Sequence, residues 1–153
     1  MAQAMKRIQK ELTQFNKEEP EGLTAGPIDD SNLFKWEATF IGPEESPYEG
    51  GNFKVSIEYS SFYPYRPPRV HFLTKVYHPN IKTLTGSISM AILYYSWSPD
   101  IDIIKLLRNL QELFIQPEIE LSYEHDIAKQ YLENRDEYEK IAKEWTEKYA
   151  NED

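Results

Sequence analysis

Residues 78–99 read HPNIKTLTGSISMAILYYSWSP, and the rest of the chain is organised around them. A His-Pro-Asn tripeptide opens the stretch, and a short polar loop leads to Gly86. The apolar run Ile88-Ser-Met-Ala-Ile-Leu93 follows, and Trp97-Ser-Pro99 closes it. A polar loop feeding one small hydroxyl residue between buried aliphatics is a way to present a single reactive atom at a surface. Ser89 occupies that place, and its chemistry is the central question.

Around this stretch the chain reads as helix, meander, irregular segment, helices. Met5, Ile8, Leu12 and Phe15 recur at spacings of three and four, the mark of an amphipathic helix. It ends by Glu19-Pro20, because the residue before proline is pushed out of the helical region. Residues 23–27 suit a short edge strand, and residues 29–32 a turn. Phe34, Trp36, Ala38 and Phe40 share one face of a second strand. Phe53, Val55, Ile57 and Tyr59 alternate strictly with polar residues in a third, and residues 70–73 make a fourth. The prolines of residues 63–68 keep that segment out of a sheet interior. Short connections make the meander antiparallel. Asp102 can cap a helix carrying Ile103, Leu106, Leu107, Leu110, Leu113 and Phe114, which Pro117 ends. Two further helices follow, around Ile127–Leu132 and Tyr138–Tyr149. The class is α+β, with residues 1–153 as one domain and no internal repeat.

Bulk composition narrows the function. At 153 residues the chain can bury a core without disulfides or metals. It has no cysteine, hence no disulfide framework and no thiolate chemistry. Three histidines without ligand spacing predict no metal site, and nothing calls for a cofactor. No apolar run approaches a membrane span and no secretory leader pattern opens the chain, so a cytoplasmic or nuclear monomer without membrane attachment is expected. The net charge of -9 argues against nucleic acid, which needs a concentrated basic face. Charge is uneven: Lys6, Arg7, Lys10 and Lys17 stand against Glu11 in the first helix. Two readings fit, a solvated helix face or a basic helix that steers an acidic protein partner.

Several motifs stand in a recognisable order: KRIQKEL (6–12), AGP (25–27), IGPEESPYEGGNF (41–53), YPYRPPRV (63–70), KVYHPNI (75–81), WSP (97–99) and IAKEWTEKYA (141–150). In this the chain closely resembles the ubiquitin-conjugating enzymes, the small single-domain class, over essentially its whole length. The resemblance implies the ubiquitin-conjugating (UBC) fold. It also implies a pathway in which a cysteine receives ubiquitin from an activating enzyme as a thioester and passes it on with a ligase. The family pattern G-x-[IV]-C-L-[DS]-I-L falls on GSISMAIL (86–93), so the catalytic position carries Ser89. A thiol supplies useful thiolate near neutral pH, whereas a serine hydroxyl needs an adjacent base. An oxygen ester is also less reactive to amines than a thioester. Thioester turnover is therefore expected to be absent. A serine-hydrolase reading fails, because position 91 is alanine and no G-x-S-x-G elbow exists.

Other roles carry over from the resemblance. Asn80 matches the asparagine that steadies an oxyanion in the family, though an amide bracing the loop backbone fits the residue equally well. His78 matches a structural histidine. Leu121 stands where the family supplies an acidic gate for the incoming lysine, and leucine cannot orient or deprotonate an amine. Ala91 replaces an aspartate, and the path from Asn80 to Ser89 is one residue longer than usual. Lys6, Arg7 and Lys10 match the face that meets the activating enzyme. Lys6, Tyr65, Pro99 and Asp100 occupy ligase-docking positions of RING or HECT type, with Asp100 placing a charge where relatives carry alanine. Thr24 falls where relatives hold ubiquitin non-covalently, but also reads as a plain exposed strand residue.

Two functional readings stay open. One is a conjugating enzyme whose catalytic cysteine has been exchanged for serine, so that it is not an enzyme as it stands. The other is a naturally non-catalytic variant that holds ubiquitin, a ligase or another conjugating enzyme as a regulatory or scaffold module. A bare scaffold without ubiquitin contacts is the bland third.

Overall fold

The computed structural model describes residues 2–151. Helix α1 (Ala2–Glu18) buries Ala4, Ile8, Glu11 and Phe15 along one stripe; of the residues that the spacing singles out, Ile8 and Phe15 are buried, Leu12 is half-buried and Met5 is exposed. Four strands follow: β1 (Leu23–Asp29), β2 (Asn32–Ile41), β3 (Asn52–Glu58) and β4 (Arg69–Phe72). They pair antiparallel in the order β1-β2-β3-β4. In the β2–β3 register Trp36 faces Ile57, Ala38 faces Val55 and Phe40 faces Phe53, so the alternating apolar residues fall on one face.

That face is covered by α2 (Ile103–Ile115), whose N-cap Asp102 accepts the Lys105 N–H at 2.9 Å as expected. Phe114 is its hub, with ring centroids 5.1 Å from Phe40, 4.9 Å from Phe53, 5.7 Å from Phe72 and 4.4 Å from Tyr48. Edge and offset contacts of this kind add to the area they bury. Helices α3 (His125–Glu133) and α4 (Arg135–Tyr149) complete the chain, with Asn134 capping α4 through the Glu137 N–H. The buried cluster draws on all four strands and all four helices. No described helix is long and apolar enough to cross a membrane.

β1 and β2 each run two residues further into the 29–32 turn than read from the sequence, because their pairing continues there, while β3 and β4 begin and end one residue earlier than expected. The irregular segment between β4 and α2 holds one single-turn 3-10 element, Ala91–Leu93, two residues after Ser89, and a second, Ile119–Leu121, follows α2.

Candidate active site

The segment from Tyr77 to Leu93 is held in place from both sides. His78 is fully buried. Its Nε2–H donates to the Leu113 carbonyl at 2.8 Å, while Nδ1 accepts the Asn80 N–H at 3.0 Å. Its ring stacks on Phe114 at 5.6 Å. Burial lowers its pKa to about 4, partly opposed by the Leu113 carbonyl, so the ring is neutral near pH 7. With both nitrogens occupied, His78 is a strut joining the HPN turn to α2, and it has no lone pair to offer Ser89.

Asn80 is also buried, and its side-chain amide is closed onto one backbone unit. Nδ2 donates to the Glu118 carbonyl at 2.8 Å, and Oδ1 accepts the Glu118 N–H at 3.0 Å. Its backbone carbonyl accepts the Ser89 N–H at 2.8 Å. Asn80 thus joins the HPN turn, the Ser89 segment and the loop after α2. The Pro79 carbonyl accepts the N–H groups of Tyr123 and Glu124, both at 2.9 Å, which fixes the far side of that loop.

Ser89 is 9 % exposed. Its backbone is held by Asn80 and by the neighbouring bridge between Ile81 and Ile88. Its hydroxyl forms no hydrogen bond among the described residues. Among the described residues no base is hydrogen-bonded to it: both ring nitrogens of His78 are engaged elsewhere, and the nearby Glu118 carboxylate accepts the Ala91 N–H at 2.9 Å through Oε1. The loop between Asn80 and Ser89 turns outward. Gly86 turns the chain at φ +77, its N–H bonded to the Lys82 carbonyl and its own carbonyl taking the Phe72 N–H, both at 2.8 Å. A Cβ there would lie 2.1 Å from the Phe72 carbonyl oxygen. Leu84 consequently stands at the tip, 95 % exposed.

Leu121 ends the 3-10 turn Ile119–Leu121 and is half-buried, with Glu120 exposed beside it. Leu121, the residue that the resemblance puts at the gate, is thus apolar and lies at the end of this turn.

The predicted docking residues gather at the other end of α1. Glu11, which the sequence reading treated only as a counter-charge, is buried and serves three segments. It accepts from Arg7 Nε at 2.6 Å, from the Ile103 N–H at 2.8 Å and from the Tyr63 hydroxyl. Trp97 Nε1 donates to the Pro64 carbonyl at 2.8 Å. Together these bonds bring the segments bearing Lys6, Tyr65, Pro99 and Asp100 to one region, with all four side chains exposed. Arg7 points inward to Glu11 and the Ile101 carbonyl, leaving Lys6 and Lys10 as the free cations of that face. The Ser98 hydroxyl donates to Asp100 and holds its carboxyl below the ordinary range, so Asp100 is charged at neutral pH. Thr24 lies apart, on edge strand β1, its hydroxyl 2.5 Å from that of its register partner Thr39. Among the described residues no three His, Asp or Glu side chains are placed to hold a metal.

Glu11 and Glu118 are the two residues that sequence reasoning missed. A buried glutamate on a helix stripe is visible as a break in the apolar pattern at position 11. Glu118 carries no such signal, since its partners lie 38 and 27 positions away.

The sequence model of the family described as "Ubiquitin-conjugating enzyme" matches residues 7–146. Among solved structures, the E2 domain of a Toxoplasma gondii ubiquitin conjugating enzyme superposes with a TM-score of 0.87 at 34% identity. The match covers 96% of this chain and 99% of that one.

Proposed function

Because the chain belongs to the ubiquitin-conjugating enzyme family, we propose that it serves the ubiquitin-transfer pathway as a non-catalytic member. In this reading it binds the pathway's proteins and does not turn ubiquitin over. Family membership implies, in general terms, ubiquitin, an activating enzyme and ligases as partners. The carrying observation is the Ser89 hydroxyl, to which no base is hydrogen-bonded among the described residues. Transfer from the activating enzyme requires a nucleophile that attacks the thioester carbonyl and expels the thiolate. A neutral alcohol without general-base help does this poorly.

The surroundings support the same reading. Leu121 and Ala91 are apolar where the resemblance places carboxylates on the lysine side of the groove, and one oxygen of the Glu118 carboxylate is held by the Ala91 N–H. Lys6, Lys10, Tyr65, Pro99 and Asp100 remain exposed, so docking to the activating enzyme and to ligases is the activity left. Asp100 turns that ligase contact charged and favours a ligase offering a cation there. Thr24 on β1 is the proposed contact for non-covalent ubiquitin. Cytoplasmic or nuclear residence goes with these partners.

A second reading rests on the intact frame that seats residue 89 between Asn80 and Ile88. That frame would hold a cysteine equally well, as in a conjugating enzyme whose cysteine has been exchanged; codon 89 of the gene separates the two. The proposal itself is tested by incubating the protein with activating enzyme, ATP and ubiquitin. Only a trace of alkali-labile oxygen ester is expected on the native chain. Rapid, stoichiometric loading of Ser89 would refute the reading.

A further inference from the structure

Where β3, β4 and the 82–86 turn meet, two grooves run together, and no aspartate or glutamate is among the described residues that line them. The larger, about 770 Å³, carries Lys54, Lys75 and Lys82; the second, about 570 Å³, passes Arg69. They share His71 and Thr85, so the surface is continuous. The chain as a whole has 26 acidic residues against 17 lysines and arginines. A described lining with four cations and no acid is therefore a local inversion of that charge.

The cations are available. Among the described residues, ion pairs form at Arg7–Glu11, Lys54–Glu37 and Lys105–Asp100, and none involves Arg69, Lys75 or Lys82. Lys75 Nζ lies 5.3 Å from the Tyr149 ring centroid and Lys82 Nζ 5.2 Å from that of Tyr123, contacts that orient an ammonium without neutralising it. Lys54 holds Glu37 at 3.8 Å with both groups well exposed, a pair weak enough to exchange. Two carboxylates border the grooves: Glu58 stands across from Arg69 in the β3–β4 register, and Glu124 accepts the Thr83 N–H at 2.9 Å through one of its oxygens.

Apolar side chains complete the surface. Leu73 and Leu84 line the larger groove and are 48% and 95% exposed. Leucines beside unpaired lysines fit a ligand that alternates carboxylates with apolar groups. They do not suit a long polyanion, which the overall charge of -9 would repel.

We propose that this surface docks an acidic, leucine-bearing segment of a protein partner, held by Lys54, Arg69, Lys75 and Lys82 with Leu73 and Leu84 taking its apolar side chains. Ile88, next to Ser89, lines the second groove, so the docked segment would run beside the family's reaction centre. The interaction requires no chemistry at Ser89 and stands independently of the ubiquitin reading.

Fluorescence anisotropy on the full chain tests this, with a fluorescein-labelled peptide alternating Glu with Leu and Ser as the probe. Binding should weaken steeply with salt. The double reversal Lys75→Glu/Lys82→Glu should weaken it roughly tenfold or more, while Lys129→Glu, the same change on exposed α3, should move it by less than about twofold. Replacing the peptide's leucines by serine should also weaken binding. Circular dichroism and thermal midpoints establish that each variant is folded. Absence of binding by the folded native chain at low salt overturns the proposal. So does an equal loss in Lys129→Glu, or tighter binding of single-stranded polythymidylate than of the peptide.

Discussion

The side chain of Asn80 closes onto the backbone of Glu118 through two hydrogen bonds, one given at 2.8 Å and one taken at 3.0 Å. This arrangement spends the amide oxygen and one N–H on the loop after α2, which makes Asn80 a brace in the resting molecule. Asn80→Ala would leave the Glu118 N–H and carbonyl without partners in a part-buried place. Urea unfolding should show a loss of roughly 1–3 kcal/mol. A variant as stable as the native chain would show that the brace holds nothing.

Glu11 joins three segments through Arg7, Tyr63 and Ile103. Removing the carboxylate with Glu11→Ala strands a guanidinium, a hydroxyl and a helix N-terminal N–H together, so a loss of about 3–5 kcal/mol is expected. Glu11→Gln keeps the shape and part of the acceptor capacity and should cost less. Equal losses in the two variants would mean that packing, and not the carboxylate, matters there.

His78 gives the fold a pH dependence. Its folded pKa of about 4 lies below the ordinary 6.5, so the unfolded chain binds the extra proton between those values. Stability is full above about pH 6.5 and is lost as the pH falls toward 4. From pH 6.5 to 5, before most carboxylates protonate, His78 alone should remove roughly 2 kcal/mol. Unfolding curves across that range should steepen for the native chain and flatten for His78→Gln. Parallel curves would place the titration elsewhere.

Much of this was legible in the sequence, and the reasons are specific. Period-two alternation in β2 and β3 and the Asp102 cap are local signals, and they placed the sheet and α2 to within two residues. The family motifs single out Ser89, Asn80 and Leu121. What remained hidden was tertiary: whether the Asn80 amide faces a reacting carbonyl or a backbone depends on Glu118, far along the chain. The inward turn of Arg7 depends likewise on Glu11 being buried by α2 and Tyr63. The lysine-lined grooves form only when β3, β4, the 82–86 turn and the end of α4 converge.

Leu121 offers a gain-of-function test. In a Ser89→Cys background, Leu121→Asp places a carboxylate in the turn after Glu118, where it can orient an incoming amine and take its proton. Discharge of ubiquitin to free lysine should rise roughly tenfold or more relative to Ser89→Cys alone. No change would mean that the turn Ile119–Leu121 does not face the lysine path.

The most direct measurement is single-turnover discharge to lysine by Ser89→Cys itself. The variant is charged with ubiquitin by activating enzyme and ATP, the charging is stopped, and decay of the thioester is followed with lysine added. A groove with leucine at 121 and alanine at 91, and with Asn80 held on Glu118, predicts that the thioester forms and then decays barely faster with lysine than without it. Rapid lysine-dependent discharge would contradict the account. It would show that only one atom separates this chain from an active conjugating enzyme.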